Sequence, residues 1–158
     1  MTSDQLIQQL DLKPHPEGGF YKETYRSQGK TAGSTPGRSH STAIYYLLVP
    51  GAVSKLHRLA FDEIFHFYLG DPVTWVLLGA SKKMEKVVLG QGLESGQQLQ
   101  MIVKAETWFG GALNEGGSYA LMGTTVAPGF EFEDFELGKR EELLKLFPNA
   151  EKEILRLT

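Results

Sequence analysis

Apolar positions in this chain fall into short runs, and each run stops at glycine or proline. TAIYYLLVPG (42–51), DEIFHFYLGDP (62–72), VTWVLLG (73–79), EKVVLGQG (85–92), LQMIVKAETWFGG (99–111) and SYALMGTTVAPG (118–129) follow one another at close spacing. Most are rich in β-branched and aromatic residues, which suit a pleated, half-buried surface. Such runs, with turn signals between them and 18 glycines in the chain, predict an antiparallel sandwich or barrel. Upstream, EGGFYKETYRS (17–27) reads as a further strand with a kink at Gly18-Gly19, and QGKTAGSTPGRSHS (28–41) as a loop that either caps a site or is a solvated connection.

The two ends have a different period. Leu6, Ile7 and Leu10 share one face of a short first helix, with Ser3 or Asp4 as its cap and Pro14 and Pro16 ending it. KREELLKLFPNAEKEILRL (139–157) has helical spacing at Leu143, Leu144 and Phe147, a break at Pro148, and Asn149 placed to cap a last helix. The expectation is an all-β domain with terminal helices, spanning residues 1–158 as one unit. At 158 residues the chain can bury about 68–70% of its unfolded surface without disulfides.

Charge and composition narrow the function classes. Sixteen basic and 19 acidic residues give a net charge of −3, with no concentrated basic patch for nucleic acid or an anionic membrane. Cysteine is absent, which excludes a thiol nucleophile and zinc–thiolate or iron–sulfur sites. The opening MTSDQLIQQLDLK lacks the pattern of a secretory signal, and no apolar run reaches the length of a membrane span. A cytoplasmic location is the expectation.

SKLHRLAFDEIFHFYLGD (54–71) concentrates the candidate chemistry in His57, Glu63 and His66. A helical Glu-x-x-His site would need a second pair and long helices, which the chain lacks. As a strand, Glu63, Phe65 and Phe67 share one face while Ile64, His66 and Tyr68 share the other. Glu63 would then sit among aromatics, where burial raises a carboxyl pKa and suits it to acid–base work. A turn near Ala60–Asp62 would bring His57 back beside it. Arg58 falls on the outer face as a surface charge, and Arg26 is a candidate anion clamp. GQGLESG (90–96) is read as a turn. APGFEFEDFE (127–136) lacks the ligand spacing of a calcium loop and is read as a segment closing the barrel.

Gly51, five residues, His57-Arg58-Leu59, three residues, Glu63, six residues and Gly70 resemble the first cupin motif, with Leu59 replacing its second histidine. The second motif is eroded: Lys104, Glu106 and Phe109 stand where Pro, Gly and His would be, and Asn114 is one place late. Together HPEGGFYKETYRS, LHRLAFDEIFHFYLGDP and TVAPGFEFEDFELG look like the small cupin family catalogued as domain of unknown function 985. This resemblance implies a cupin jelly roll (a double-stranded β-helix) with one open pocket per subunit, and a homodimer.

A metal cupin uses two His and a Glu from the first motif and a His from the second. This chain keeps His57 and Glu63, so the expected pocket is metal-free, with no cofactor, unless Glu106 or His66 supplies a non-standard ligand. Cupins similar in fold isomerise or epimerise nucleotide-linked sugars without metal, using a His base and a Tyr acid. That implies His57 as base, Glu63 as its partner, and an acid among Tyr21, Tyr25, Tyr45, Tyr46, Tyr68 and Tyr119. Arg26, Phe65, Phe67, Trp108, Phe109 and His66 are the candidate ligand contacts, with Trp75 as a further aromatic wall. The partner expected is a carbohydrate- or nucleotide-like small molecule. Two alternatives stand beside this enzyme reading: a binding module that captures a metabolite without turnover, and a metal-dependent cupin enzyme.

Overall fold

A computed structural model describes residues 1–33 and 35–158; the 28–41 loop is thus described except at Ser34. Helix α1 (Ser3–Leu10) opens the chain, followed by strands β1 (Lys13–Pro14), β2 (Phe20–Arg26), β3 (Thr42–Leu48), β4 (Val53–Leu59), β5 (Glu63–Gly70), β6 (Val73–Leu78) and β7 (Met84–Leu89). Strands β8 (Gln100–Val103), β9 (Trp108–Leu113), β10 (Ala120–Val126) and β11 (Phe135–Leu137) complete the sheets. Helices α2 (Arg140–Leu146) and α3 (Glu151–Arg156) close the chain, separated by a single 3₁₀ turn at Pro148–Ala150.

The strands form two antiparallel sheets, ordered β1-β2-β3-β10-β5-β8 and β11-β4-β9-β6-β7. Consecutive strands β4 and β5 lie in different sheets, so the turn between them crosses the sandwich and sets His57 and Glu63 on facing walls. Four details differ from the sequence expectation, one being that Asn149 lies within the 3₁₀ turn so that Ala150, not Asn149, occupies the N-cap of α3. Thr2, not Ser3 or Asp4, caps α1, because Gln5 sits three residues on and completes a capping box with it. Residues 99–111 make two strands rather than one run, since Glu106 turns the chain at φ 63°. The 17–27 segment is strand only from Phe20, because Gly18 and Gly19 adopt φ of 115° and 72° and form a turn.

Apolar side chains fill three layers. Between the sheets lie Tyr46, Phe65, Trp75, Phe109 and Met122, all buried. On the outer face of the five-stranded sheet, Leu56, Val76 and Trp108 pack under Leu143, Phe147 and Ile154 of the C-terminal helices. On the outer face of the other sheet, Leu47 and Leu121 pack under Leu6 of α1. Each such buried aliphatic or aromatic side chain contributes roughly 1.5–3 kcal/mol. The helices therefore cover the backs of the sheets and leave one end of the interior open. No helix among the described residues is long and apolar enough to cross a membrane.

Candidate functional site

The open end of the sandwich holds a cavity of about 140 Å³, room for about five waters or one small ring. His57, Glu63, Phe65 and Arg26 all line it, together with His15, Glu17, Tyr21 and Tyr46. The His15–Gly19 turn is what completes the floor. Gly18 N–H donates to the His15 carbonyl at 3.0 Å, and Lys55 N–H donates to the Glu17 carbonyl at 2.9 Å, so the turn is clamped onto β4. A Cβ on Gly18 would collide with the Val53 carbonyl, so only glycine allows this approach.

Clamped there, the Glu17 carboxylate reaches into the protein. Its Oε2 lies 2.9 Å from His57 Nε2, and its Oε1 accepts from Ser54 Oγ at 2.9 Å. His57 Nδ1 donates to the Lys55 carbonyl at 2.6 Å. Both ring nitrogens are thereby used as donors, which defines an imidazolium. Burial alone would push the His57 pKa down, but the charge and hydrogen bond of Glu17, with the charge of Glu63, outweigh it and hold the pKa above its usual value. Burial likewise opposes ionisation of Glu17, yet the His57 charge and hydrogen bond hold it below the usual carboxylate range. The pair is an ion pair in the protein interior.

Two titratable neighbours behave differently. Burial keeps the His15 pKa low, with His57 adding to the effect against the pull of Glu17. The Glu17 amide donates to His15 Nδ1 at 3.2 Å, so this imidazole is neutral with its proton on Nε2. Glu63 is pushed up to about 7, first by burial and then by the charge of Glu17, against the opposing influence of His57 and the Thr124 hydroxyl. At neutral pH Glu63 is thus poised between acid and carboxylate. Tyr46 donates to the Gly18 carbonyl at 2.9 Å, and burial first, then the charge of Glu17, raises its pKa well above the usual value. Of the six candidate tyrosines, Tyr21 and Tyr46 line the cavity.

The remaining expected contacts lie elsewhere. His66 faces outward, between Gln100 Nε2 at 2.9 Å and Thr125 Oγ1 at 3.2 Å. Phe67 packs in the layer between the sheets, and Trp108 belongs to the layer under the C-terminal helices. Phe109 is fully buried and pairs directly across from His57, their ring centroids 4.1 Å apart, but it stands behind the histidine rather than on the cavity wall. Trp75 is likewise fully buried in the layer between the sheets. Arg26 sits at the mouth. Its guanidinium holds Glu23 through two bonds of 2.9 Å, Glu131 at 2.6 Å and the Phe130 carbonyl at 2.9 Å. Arg58 is on the outer surface against Glu136 and Glu106, over the Trp108 ring.

The arrangement does not fit a cupin metal. Both nitrogens of His57 are committed, Leu59 and Phe109 offer no donor, and Glu106 is engaged with Arg58 on the outside. Among the described residues no three His, Asp or Glu side chains are disposed around a common ion. His15 and Glu17 escaped the sequence reading because their role depends on a turn docking from outside the motif. The signal was present in HPEGG, where two successive glycines follow a carboxylate and a histidine.

Two packed antiparallel sheets with an end-on pocket define a cupin jelly roll. The chain matches the family described as Cupin superfamily (DUF985) over residues 4–138, and it belongs to that family. An uncharacterized protein of Saccharomyces cerevisiae is 31% identical over 94% of this chain and 81% of its own length. Two solved structures are similar throughout. A hypothetical protein from Leishmania major has a TM-score of 0.92 and 32% identity, covering 100% of this chain and 99% of its own. A protein from Shewanella oneidensis has a TM-score of 0.91 and 36% identity, covering 100% and 98%. A dTDP sugar isomerase from Desulfovibrio desulfuricans shares the fold alone, at a TM-score of 0.57 and 14% identity over 87% of this chain and 91% of its own.

Proposed function

We propose that this cupin pocket carries out metal-independent acid–base chemistry on a small carbohydrate-like molecule, with Glu63 as the group that exchanges a proton with it. The observation that carries this reading is a carboxyl lining the cavity, buried and held at about 7. A proton-transfer group works best when its pKa lies near the operating pH. His57, first in line as the base on sequence grounds, has no free lone pair while it donates to both Glu17 and Lys55. Its part in this scheme is a fixed positive charge that keeps Glu17 ionised and lowers the cost of ionising Glu63. The neutral His15, with Nε2–H as a donor, supports the substrate from another side of the cavity. The aromatic walls Tyr21, Phe65 and Phe135 suit the apolar faces of a sugar ring. The dTDP sugar isomerase supports the reading only in that its fold hosts sugar isomerisation.

The test is proton exchange. Hexoses, amino hexoses and dTDP-linked sugars would be incubated with the protein in D2O and followed by NMR. Deuterium entering a ring C–H position, slowed by a factor of at least ~10² in Glu63→Gln, is the expected result. A ligand that binds while exchanging nothing would leave a capture module instead.

A further inference from the structure

The charges around the cavity do not balance. Glu17, Glu23, Glu63 and Glu131 line it, against Arg26 and His57 as the only cations in the lining. Neither cation is free. Arg26 spends four donors on Glu23, Glu131 and the Phe130 carbonyl, and both N–H groups of His57 are taken. A phosphate or carboxylate entering here would find one unengaged cationic donor, the second Nη1–H of Arg26, set between the Glu23 and Glu131 carboxylates, and would have to break ion pairs to obtain more.

Glu63 is the opposite case. It is 7% exposed and lines the cavity, and among the described residues it makes no ion pair; the His57 charge, itself paired with Glu17, and the Thr124 hydroxyl favour its ionised form without outweighing burial and the charge of Glu17. A buried carboxylate with free lone pairs needs a cation or a proton. Aromatic rings surround the same space. His15 and Tyr21 meet edge to face with centroids 4.7 Å apart, Phe130 and Phe132 at 5.1 Å, and Phe135 flanks the His57 ring at 5.2 Å. Ring faces attract cations, and a box of rings around a carboxylate is the environment an alkylammonium prefers over water.

We infer that the ligand of this pocket carries an ammonium group and no phosphate, with its positive charge seated beside Glu63 inside the aromatic walls. This rests on the pocket being the ligand site, as proposed above, and it specifies the ligand there as an amine-bearing small molecule such as an amino sugar rather than a nucleotide. The cation supplies what Glu63 lacks, and its entry converts the poised carboxyl into a full carboxylate.

Three probes of one shape and different charge test this: choline, its uncharged carbon isostere 3,3-dimethylbutan-1-ol, and 3,3-dimethylbutanoate. The full chain would be titrated with each at about pH 8, above the Glu63 transition, while NMR follows the ring signals of His15 and Tyr21. Choline should bind at least ~10-fold tighter than the isostere, with the anion weakest. Glu63→Gln, which keeps the side-chain shape, should bring choline and the isostere within about threefold of each other. Phe132→Ala, at a position 52% exposed, should weaken choline more than the isostere. Equal binding of choline and isostere, tighter binding of the anion, or no effect of any probe on these signals overturns the inference. Absence of proton exchange in the earlier experiment would sink the enzymatic reading while leaving this charge order intact, so the two fail separately.

Discussion

Glu17 and His57 form a 2.9 Å ion pair that joins a glycine-rich turn near the start of the chain to a strand of the five-stranded sheet. Both partners are buried, at 5% and 2% exposure, so the pair is a structural joint as well as part of the pocket. Removing one partner strands the other charge in the interior. Glu17→Gln should therefore destabilise the protein by about 3–5 kcal/mol in urea unfolding at neutral pH. Adding His57→Phe should recover part of that loss, because the second substitution removes the orphaned charge. Losses that simply add would show that the two residues do not act on each other.

Glu63 makes a prediction of the opposite sign. Its pKa rises from an ordinary value near 4.5 to about 7 on folding, so the folded protein binds this proton more tightly than the unfolded chain does. Stability from this group is complete below about pH 4.5 and is lost as pH rises through about 7. Glu63→Gln removes the penalty. The variant should match the wild type near pH 4 and exceed it by about 3 kcal/mol near pH 8, as each pKa unit is worth about 1.4 kcal/mol. Paired denaturation curves at the two pH values check this, and a pH-independent difference would show that Glu63 titrates normally.

At the mouth, Arg26 ties β2 to the Phe130–Glu131 segment. The guanidinium is about one-third exposed, so Arg26→Ala should cost less than about 1 kcal/mol of global stability. Its effect should be local, as faster amide hydrogen exchange over residues 129–134, measured by mass spectrometry. Unchanged exchange there would mean that the segment is held by Arg38, which bonds Glu133 and Asp134, without help from Arg26.

Metal removal should do nothing. With both His57 nitrogens bonded to protein atoms, treatment with a chelator is expected to leave the melting temperature and the His15 and His57 NMR signals where they were. A melting temperature that drops on chelation and returns with one divalent metal would require the Glu17–His57 bond to open around the ion.

Gly18 is the smallest handle on the site. A methyl group there meets the Val53 carbonyl, at a φ of 115° that side chains rarely adopt. Gly18→Ala should push the turn off β4 and cost roughly 1–3 kcal/mol. The diagnostic readout is a fall in the His57 pKa by NMR titration as Glu17 withdraws. A destabilised variant with an unchanged His57 titration would place the damage elsewhere.

Strand alternation carried the sequence reading far in one place and not in another. It separates Glu63 and Phe65 from His66 onto opposite faces, as the burial pattern of β5 has them, although His66 is also expected among the ligand contacts and does not line the cavity. It could not say how deep along the interior each inward residue lies, which is why Phe67 was grouped with Phe65 though only the latter borders the cavity. Trp108 was grouped with the pocket because a lone strand does not reveal which of its faces meets the opposite sheet and which meets the C-terminal helices. The cupin spacing puts Phe109 at the position of the second motif's histidine and among the ligand contacts; in the structure it pairs with His57 but does not line the cavity. Glu17 is not legible in the sequence: its side chain matters only because a tight turn docks on a strand far away in sequence, and no local period encodes that.

The last residues of the chain bear on the same strand from behind. Leu56, the neighbour of His57, donates its amide to the Leu157 carbonyl at 2.8 Å, and both side chains are buried among the C-terminal helices. The tail is thus the backstop of the wall that carries His57. A clipped or heavily tagged C-terminus would slacken that wall without touching the pocket, and an assay run on such material would read a mechanical fault as a chemical one.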